Sequence, residues 1–202
     1  MSESWDDYAE AWDNMPDVAT YANHAFESLI NTINPTGLRV LDFGCGTGQL
    51  TERLSPLAAN IIALDSSPKM IKILQSKNLP NVNSFATSLT ESTQEEHPSL
   101  LADFDLIVAS SVCGFLPNYA ETLQLLAKML KPNAFFIQWD WLKTNADFDF
   151  GLTEHCIEQA FSSAGLSTAA LSQPFALESQ GQTRPVLMGV AQKQTQSTND
   201  DT

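Results

Sequence analysis

The sequence predicts an α/β fold: a doubly wound, mostly parallel sheet with helices on both faces and an antiparallel hairpin at its C-terminal edge. Three observations lead there. Short apolar runs alternate with helical segments from Leu38 to Leu130. The first run ends in a glycine-rich turn, Gly44-Cys45-Gly46-Thr47-Gly48. After the last helix, two further apolar runs are joined by a connection rich in Ser, Gln and Gly instead of by another helix. With 202 residues, 43% of them hydrophobic, the chain suffices for one domain with a sizeable core.

Residues up to Asn34 read as helical and amphipathic. Trp5, Tyr8 and Trp12 recur at offsets of three and four, and Phe26, Leu29, Ile30 and Ile33 continue the pattern after Pro16. Asn34-Pro35-Thr36-Gly37 punctuates the chain. Leu38 to Phe43 is the first strand; Ile61 to Leu64, Val82 to Phe85, Phe104 to Ala109 and Ala134 to Trp139 are the next four. Helices are expected near Gly48 to Leu57, Pro68 to Lys77 and Tyr119 to Leu130. Leu123, Leu126 and Leu130 supply the buried stripe of the last, and Pro68 suits a first helical turn, where its missing N–H is not needed. Thr90 to Leu101 is polar and weakly helical. Thr153 to Ala164 forms a helix closed by Gly165, followed by strands around Ser167 to Leu171 and Pro185 to Ala191. The expected organisation is an N-terminal helical lid over 1–34, a catalytic domain over 35–192, and a polar, disordered tail over 193–202.

Charge narrows the partners. There are 24 Asp and Glu against 10 Lys and Arg, a formal net charge of −14, and no run of three cations, which disfavours nucleic acid and anionic membranes. Cys45, Cys113 and Cys156 cannot all pair and show no CxxC spacing, which suits a reducing, cytoplasmic compartment. The start MSESWDDYAE has neither the basic end nor the apolar stretch of a signal peptide, and no apolar run approaches the roughly 20 residues of a membrane helix. His24, His97 and His155 lie far apart in different elements, so no metal is expected.

The chemistry is carried by Leu41-Asp42-Phe43-Gly44-Cys45-Gly46-Thr47-Gly48, where a strand runs through a glycine turn into a helix. Such a turn lets a ligand lie against bare main chain, and it closes the first strand, where an open α/β sheet keeps its binding crevice. Asp65 ends the second strand, 21 residues after Gly44, and a carboxylate there can accept both hydroxyl protons of a ribose. Capping of the helix at Pro68, together with Ser66 or Ser67, is compatible with that role. The spacing GxGxG, with Gln49 in place of a third glycine, departs from the dinucleotide fingerprint. Asp42 suits a cation better than a pyrophosphate, as in the ammonium and sulfonium of S-adenosylmethionine.

With LDFGCGTGQL at 41–50, ALDSSPKMI at 63–71, DFDLIVASSV at 103–112 and LKPNAFFIQW at 130–139, the chain resembles the class I S-adenosylmethionine-dependent methyltransferases. The likeness is greatest to small bacterial enzymes similar to ubiquinone-type and small-molecule methyltransferases, and it runs from Leu38 to Ala191. It implies a Rossmann-like, seven-stranded sheet with an antiparallel final strand. It also implies Gly44, Cys45, Gly46 and Gly48 around the methionine part of the cofactor, Asp42 near its ammonium, and Asp65 with Ser66 at the ribose. Met70 would lie beside the adenine, although Met70, Ile71 and Leu74 also fit a core stripe. Thr87 or Ser88 would stand where relatives often present an acid to the adenine amino group, and Ala109 and Ser110 would wall the transferred methyl.

The expected activity is in-line transfer of a methyl group to a small-molecule acceptor, releasing S-adenosylhomocysteine. Many relatives carry a His pair after the fourth strand; here the positions read Cys113-Gly114-Phe115-Leu116-Pro117. Either the acceptor needs no strong base, or a base comes from elsewhere, the candidate being Asp140 between Trp139 and Trp141, where a planar or cationic acceptor could be held. The bland alternative makes one Trp core and the Asp solvated. Trp5, Tyr8 and Trp12 form the face of a lid, or else pack their helix on the sheet. Phe115 is a further acceptor-side candidate, and Asp147 and Asp149, alternating with Phe148 and Phe150, are expected in a loop near the acceptor. The alternatives are a cofactor-binding or regulatory module without turnover, and a protein methyltransferase, for which the acidic surface favours a basic substrate.

Overall fold

The structure, a computed structural model, describes residues 5–97, 103–144, 150–179 and 182–195. Seven strands form one sheet: β1 (Arg39–Phe43), β2 (Asn60–Asp65), β3 (Val82–Ala86), β4 (Phe104–Ser110), β5 (Leu130–Trp141), β6 (Leu166–Ser179) and β7 (Gln182–Lys193). Their order is β3-β2-β1-β4-β5-β7-β6. The first five are parallel, and β7 runs antiparallel to both β5 and β6. Strand order reverses between β1 and β4, and the carboxyl ends on either side of that point frame the crevice in which open α/β sheets bind ligands.

Alternation along the strands sends neighbouring residues to opposite faces. On one face Leu41, Ile107 and Phe136 pack with Leu123 and Leu126 of α6 (Tyr119–Met129) and Ile157 and Phe161 of α7 (Glu154–Ser163). On the other, Val40, Val108 and Ile137 pack with Tyr21, Ala25 and Leu29 of α2 (Pro16–Thr32) and Leu50 and Leu54 of α3 (Gln49–Leu54). Ile71 and Leu74 of α4 (Pro68–Ser76) close over Ala63. Ser67 caps α4 by accepting the Met70 N–H at 3.2 Å, and Thr153 caps α7 by accepting the Cys156 N–H at 3.1 Å. The weakly helical stretch contains α5 (Glu91–Glu96), opened by a capping box between Thr90 and Thr93.

The predicted N-terminal unit divides in two. The α2 face is part of the sheet's own core and its first turns also line the crevice, while the short α1 (Trp5–Trp12) lines it with Trp5 and Trp12. The C-terminal hairpin is longer than its apolar runs suggest, because β6 is the sheet edge and carries polar residues while still pairing with β7. Pro174 falls where the β6–β7 register shifts between Ser172 and Phe175, a place that tolerates its missing N–H. Helix α3 starts only at Gln49, after Gly48 in the left-handed region. Lys193, expected in the tail, still belongs to β7; the tail from 196 and the segment with Asp147, Phe148 and Asp149 lie outside the described residues. No helix among the described residues is long and apolar enough to cross a membrane.

Candidate active site

A cavity of about 540 Å³ opens at the carboxyl ends of β1, β2 and β4, within the size range of small-molecule sites. Its floor is the glycine turn. Gly44, Gly46 and Gly48 all have positive φ, at +70°, +54° and +83°. A Cβ on Gly44 would come within 2.4 Å of the Val112 side chain, and one on Gly48 within 2.3 Å of Leu74. At Gly46 the nearest atom is Trp12 Nε1, 3.7 Å away. Gly44, Cys45 and Gly46 line the cavity. Gly48 does not, contrary to its expected place around the ligand: its small size answers Leu74 and lets α3 begin.

Asp42 lines this cavity and is 1% exposed. Thr51 Oγ1 donates to its Oδ2 at 2.6 Å, while Oδ1 has no hydrogen-bond partner. Burial pushes its pKa up to about 7, with the Thr51 hydrogen bond acting against this and the charge of Asp65 adding to it. A buried carboxylate oxygen without a partner is costly, and a ligand cation would relieve that cost. Asp65, at the end of β2, accepts the Gly46 N–H and the Ser67 N–H, each at 2.8 Å. Burial raises its pKa against these two donors. It thus fixes the glycine turn and the start of α4, and each oxygen retains lone-pair capacity toward the cavity.

Ser66, Met70, Thr87 and Ser88 line the same space, with Thr87 tied to β2 by its N–H to the Asp65 carbonyl at 2.8 Å. Met70 is both wall and core, 2% exposed within the buried stripe of α4. Ser110 lines the cavity at the end of β4. Ala109 does not, because it points into the α6–α7 core.

The roof is aromatic. Trp5 and Trp12 of α1 line the cavity, Trp5 standing edge-on to Phe115 at 5.3 Å, with Phe115 stacked on Phe150 at 5.4 Å. Tyr8 packs on Trp5 at 6.1 Å but is not part of the cavity wall. Two carboxylates hold α1 down. Asp6 accepts the Ser67 hydroxyl and the Lys69 N–H; Asp13 accepts the Thr47 hydroxyl and Gln49 Nε2 and pairs with Lys77 at 3.3 Å.

Asp140 and Trp139 are corrected by the pleat of β5. Successive residues face opposite ways, so Trp139 enters the α2 side of the core and donates from Nε1 to Ser28 Oγ at 2.8 Å, while Asp140 faces the other side. Asp140 is 0% exposed: Oδ1 accepts the Gly114 N–H at 2.7 Å and Oδ2 accepts Gln138 Nε2 at 3.0 Å. Tyr119 donates to Gln138 Oε1 at 2.6 Å, and burial pushes the Asp140 pKa up to about 8. Neither residue lines the cavity; Trp141, the last of β5, does. Asp140 is therefore placed to hold the loop carrying Phe115, not to touch a ligand. Tyr21 and Ser111, which do line the cavity, were not singled out from the sequence: Tyr21 is one more apolar-stripe residue of α2, and Ser111 follows a generic strand.

The wall contains three carboxylates, Asp17, Asp42 and Asp65, and no Lys, Arg or His among the described residues. Nor do His, Cys, Asp and Glu cluster there or elsewhere among them as a metal site would require.

A family model described as a methyltransferase domain matches residues 17–168. Over 116 residues the chain is 34% identical to a ubiquinone biosynthesis O-methyltransferase of Bradyrhizobium diazoefficiens, covering 55% of this chain and 44% of that one. The chain thus spans less than half the length of the curated relatives it matches first. Its fold is that of a chain in the complex between the Haloferax volcanii Trm112 methyltransferase activator and the putative methyltransferase, with TM-score 0.77, 16% identity and coverage of 96% and 100%. The DhpI-SAM-HEP complex is similar at TM-score 0.71, with 17% identity and 93% of both chains covered. Together with the motifs of the glycine turn and Asp65, the match over 17–168 means that the chain belongs to the methyltransferase domain family, within the class I S-adenosylmethionine-dependent methyltransferases.

Proposed function

We propose that this protein transfers the methyl group of S-adenosylmethionine to a small-molecule acceptor. The observation that carries the reading is the unpartnered Oδ1 of Asp42, buried in the wall of the same cavity as the glycine turn and Asp65. An amino-acid ammonium answers that oxygen; a pyrophosphate would be repelled by it.

When bound, S-adenosylmethionine supplies an electrophilic methyl on a cationic sulfonium. Asp42 takes the ammonium, and Gly46 leaves room for the amino-acid part. Asp65 accepts from the ribose hydroxyls while its backbone donors keep it oriented. Met70, Leu64 and Leu89 offer an apolar slot for the adenine, edged by Thr87 and Ser88. Ser110 and Ser111 stand at the methyl end, and Trp5 and Trp12 form a lid that keeps water out. Among the described residues the wall holds no imidazole or amine, so the acceptor's nucleophile is one that reacts without deprotonation by either. The relatives named for ubiquinone biosynthesis support an acceptor of small-molecule size.

Calorimetry with S-adenosylhomocysteine and with NADH tests the assignment: the first binds, the second does not, and Asp65→Ala weakens binding by about 1–3 kcal/mol. Tight NADH binding without S-adenosylhomocysteine binding would overturn it. Transfer of a labelled methyl into a cell extract separates an enzyme from a cofactor-binding module, which would bind without yielding product.

A further inference from the structure

Beyond the groups assigned to the cofactor, the cavity wall includes residues of α2 and of the ends of β4 and β5. Among them are Tyr21, Ser111 and Trp141, the Tyr21 ring lying 5.4 Å from that of Trp141. Three facts about this wall are independent of one another. Tyr21 is 6% exposed, yet its hydroxyl has no partner at full hydrogen-bond geometry; Ser111 approaches it without closing such a bond. Ser111 itself is held at φ +55°, a strained conformation for a residue with a side chain, with its N–H bound to the Trp139 carbonyl at 2.7 Å. Finally, the whole cavity wall offers carboxylates and no cation among the described residues.

A buried hydroxyl left unsatisfied costs stability unless a ligand completes it. A carboxylate or phosphate on an acceptor would be buried against like charge with no cation of the wall to neutralise it. The flat rings of Tyr21 and Trp141 favour a planar partner. We propose that Tyr21 is the acceptor-anchoring residue: its hydroxyl hydrogen-bonds a planar acceptor that lies against Trp141 and carries neither carboxylate nor phosphate. The inference rests on the methyltransferase reading and names its substrate class. Burial keeps the Tyr21 hydroxyl protonated, and the charge of Asp140 adds to this once that carboxyl ionises, so Tyr21 serves as a donor at neutral pH.

The test uses protein saturated with S-adenosylhomocysteine and two matched pairs of probes: catechol with 3,4-dihydroxybenzoate, and 2-naphthol with 3-hydroxy-2-naphthoate. Calorimetry should show each uncharged probe binding at least tenfold more tightly than its carboxylated partner. Tyr21→Phe should weaken the uncharged probes about 3–10-fold, the size of one hydrogen bond, and change S-adenosylhomocysteine affinity less than twofold. The same variant should not lower the melting temperature, since it removes an unpartnered hydroxyl; a purely structural Tyr21 would lose stability and leave probe affinity alone. Equal or tighter binding of the carboxylated probes, no binding of either uncharged probe at millimolar concentration, or an unchanged probe affinity in Tyr21→Phe would overturn the inference. Failure of S-adenosylhomocysteine itself to bind would instead sink the methyltransferase reading beneath it.

Discussion

The carboxylate of Asp13, just past the end of α1, accepts a hydrogen bond from the hydroxyl of Thr47 in the glycine turn, so α1 is fastened to the floor of the cavity that its Trp5 and Trp12 line. Asp13 also receives Gln49 Nε2 at 2.9 Å and pairs with Lys77. Burial pushes the Asp13 pKa up, but these partners outweigh it and hold it below the usual carboxylate value, so the fastening is ionised at neutral pH. In the proposed lid role of α1, a cofactor breaks this fastening to leave. Asp13→Ala should speed release of S-adenosylhomocysteine about 3–10-fold, read by stopped-flow from the fluorescence of Trp5 and Trp12. An unchanged release rate would mean that α1 does not gate the cavity.

Gly46 and Gly48 of the turn should separate by phenotype. At Gly48 an alanine meets both left-handed strain and Leu74 at 2.3 Å, and the loss of stability should be about 2–4 kcal/mol. At Gly46 the new methyl has space, and strain alone costs about 1–2 kcal/mol. Its methyl enters the cavity, however, so Gly46→Ala should lose cofactor affinity out of proportion to stability. Urea unfolding and calorimetry on both variants check the contrast, which fails if Gly48→Ala proves the milder of the two in unfolding.

These contrasts show where the sequence was legible. Asp42, Asp65, Gly44 and Gly46 could be placed at the cavity because they stand at or beside the carboxyl ends of apolar strands, whereas Gly48 answers packing against Leu74. The parallel run of the first five strands followed from the alternation of apolar runs with helical segments, whereas their order in the sheet did not. Asp140 misled because a linear neighbourhood, an acid between two indoles, is not a spatial one in a strand: the pleat sends Trp139 and Trp141 one way and Asp140 the other. Tyr21 was hidden in a core stripe, since an amphipathic period cannot distinguish a ring packed on the sheet from one that also reaches a cavity. The fastening by Asp6 and Asp13 was illegible because surface carboxylates acquire meaning only from partners some 34 to 64 residues away.

Ligand-free stability should fall as pH rises from 6 to 8. Asp42 and Asp140 titrate near 7 and 8 when folded, above the value of about 4 expected when unfolded. A carboxyl group raised on folding stabilises fully below its unfolded pKa and loses that contribution as pH climbs through the folded one. Between pH 6 and pH 8 the two groups together should remove about 4 kcal/mol, read by urea unfolding at each pH. Asp140→Asn, neutral at every pH, should flatten its share of the slope. A wild-type stability that is level or rising over this interval would show that these carboxyl groups are not buried as the structure has them.

Cofactor binding should show the opposite dependence. A ligand ammonium prefers Asp42 ionised, but in the ligand-free protein burial keeps that carboxyl largely protonated at pH 6 and largely ionised at pH 8. Affinity for S-adenosylhomocysteine should therefore rise about tenfold over that interval, and binding near pH 6.5 should release a substantial fraction of a proton. Calorimetry in two buffers of different ionisation enthalpy measures that release directly. Asp42→Asn keeps the shape and the acceptor for Thr51 but has no proton to lose, so its affinity should be weaker at pH 8 and nearly flat with pH. A flat profile in the wild type, or a surviving slope in Asp42→Asn, would place the ammonium on some other group of the cavity.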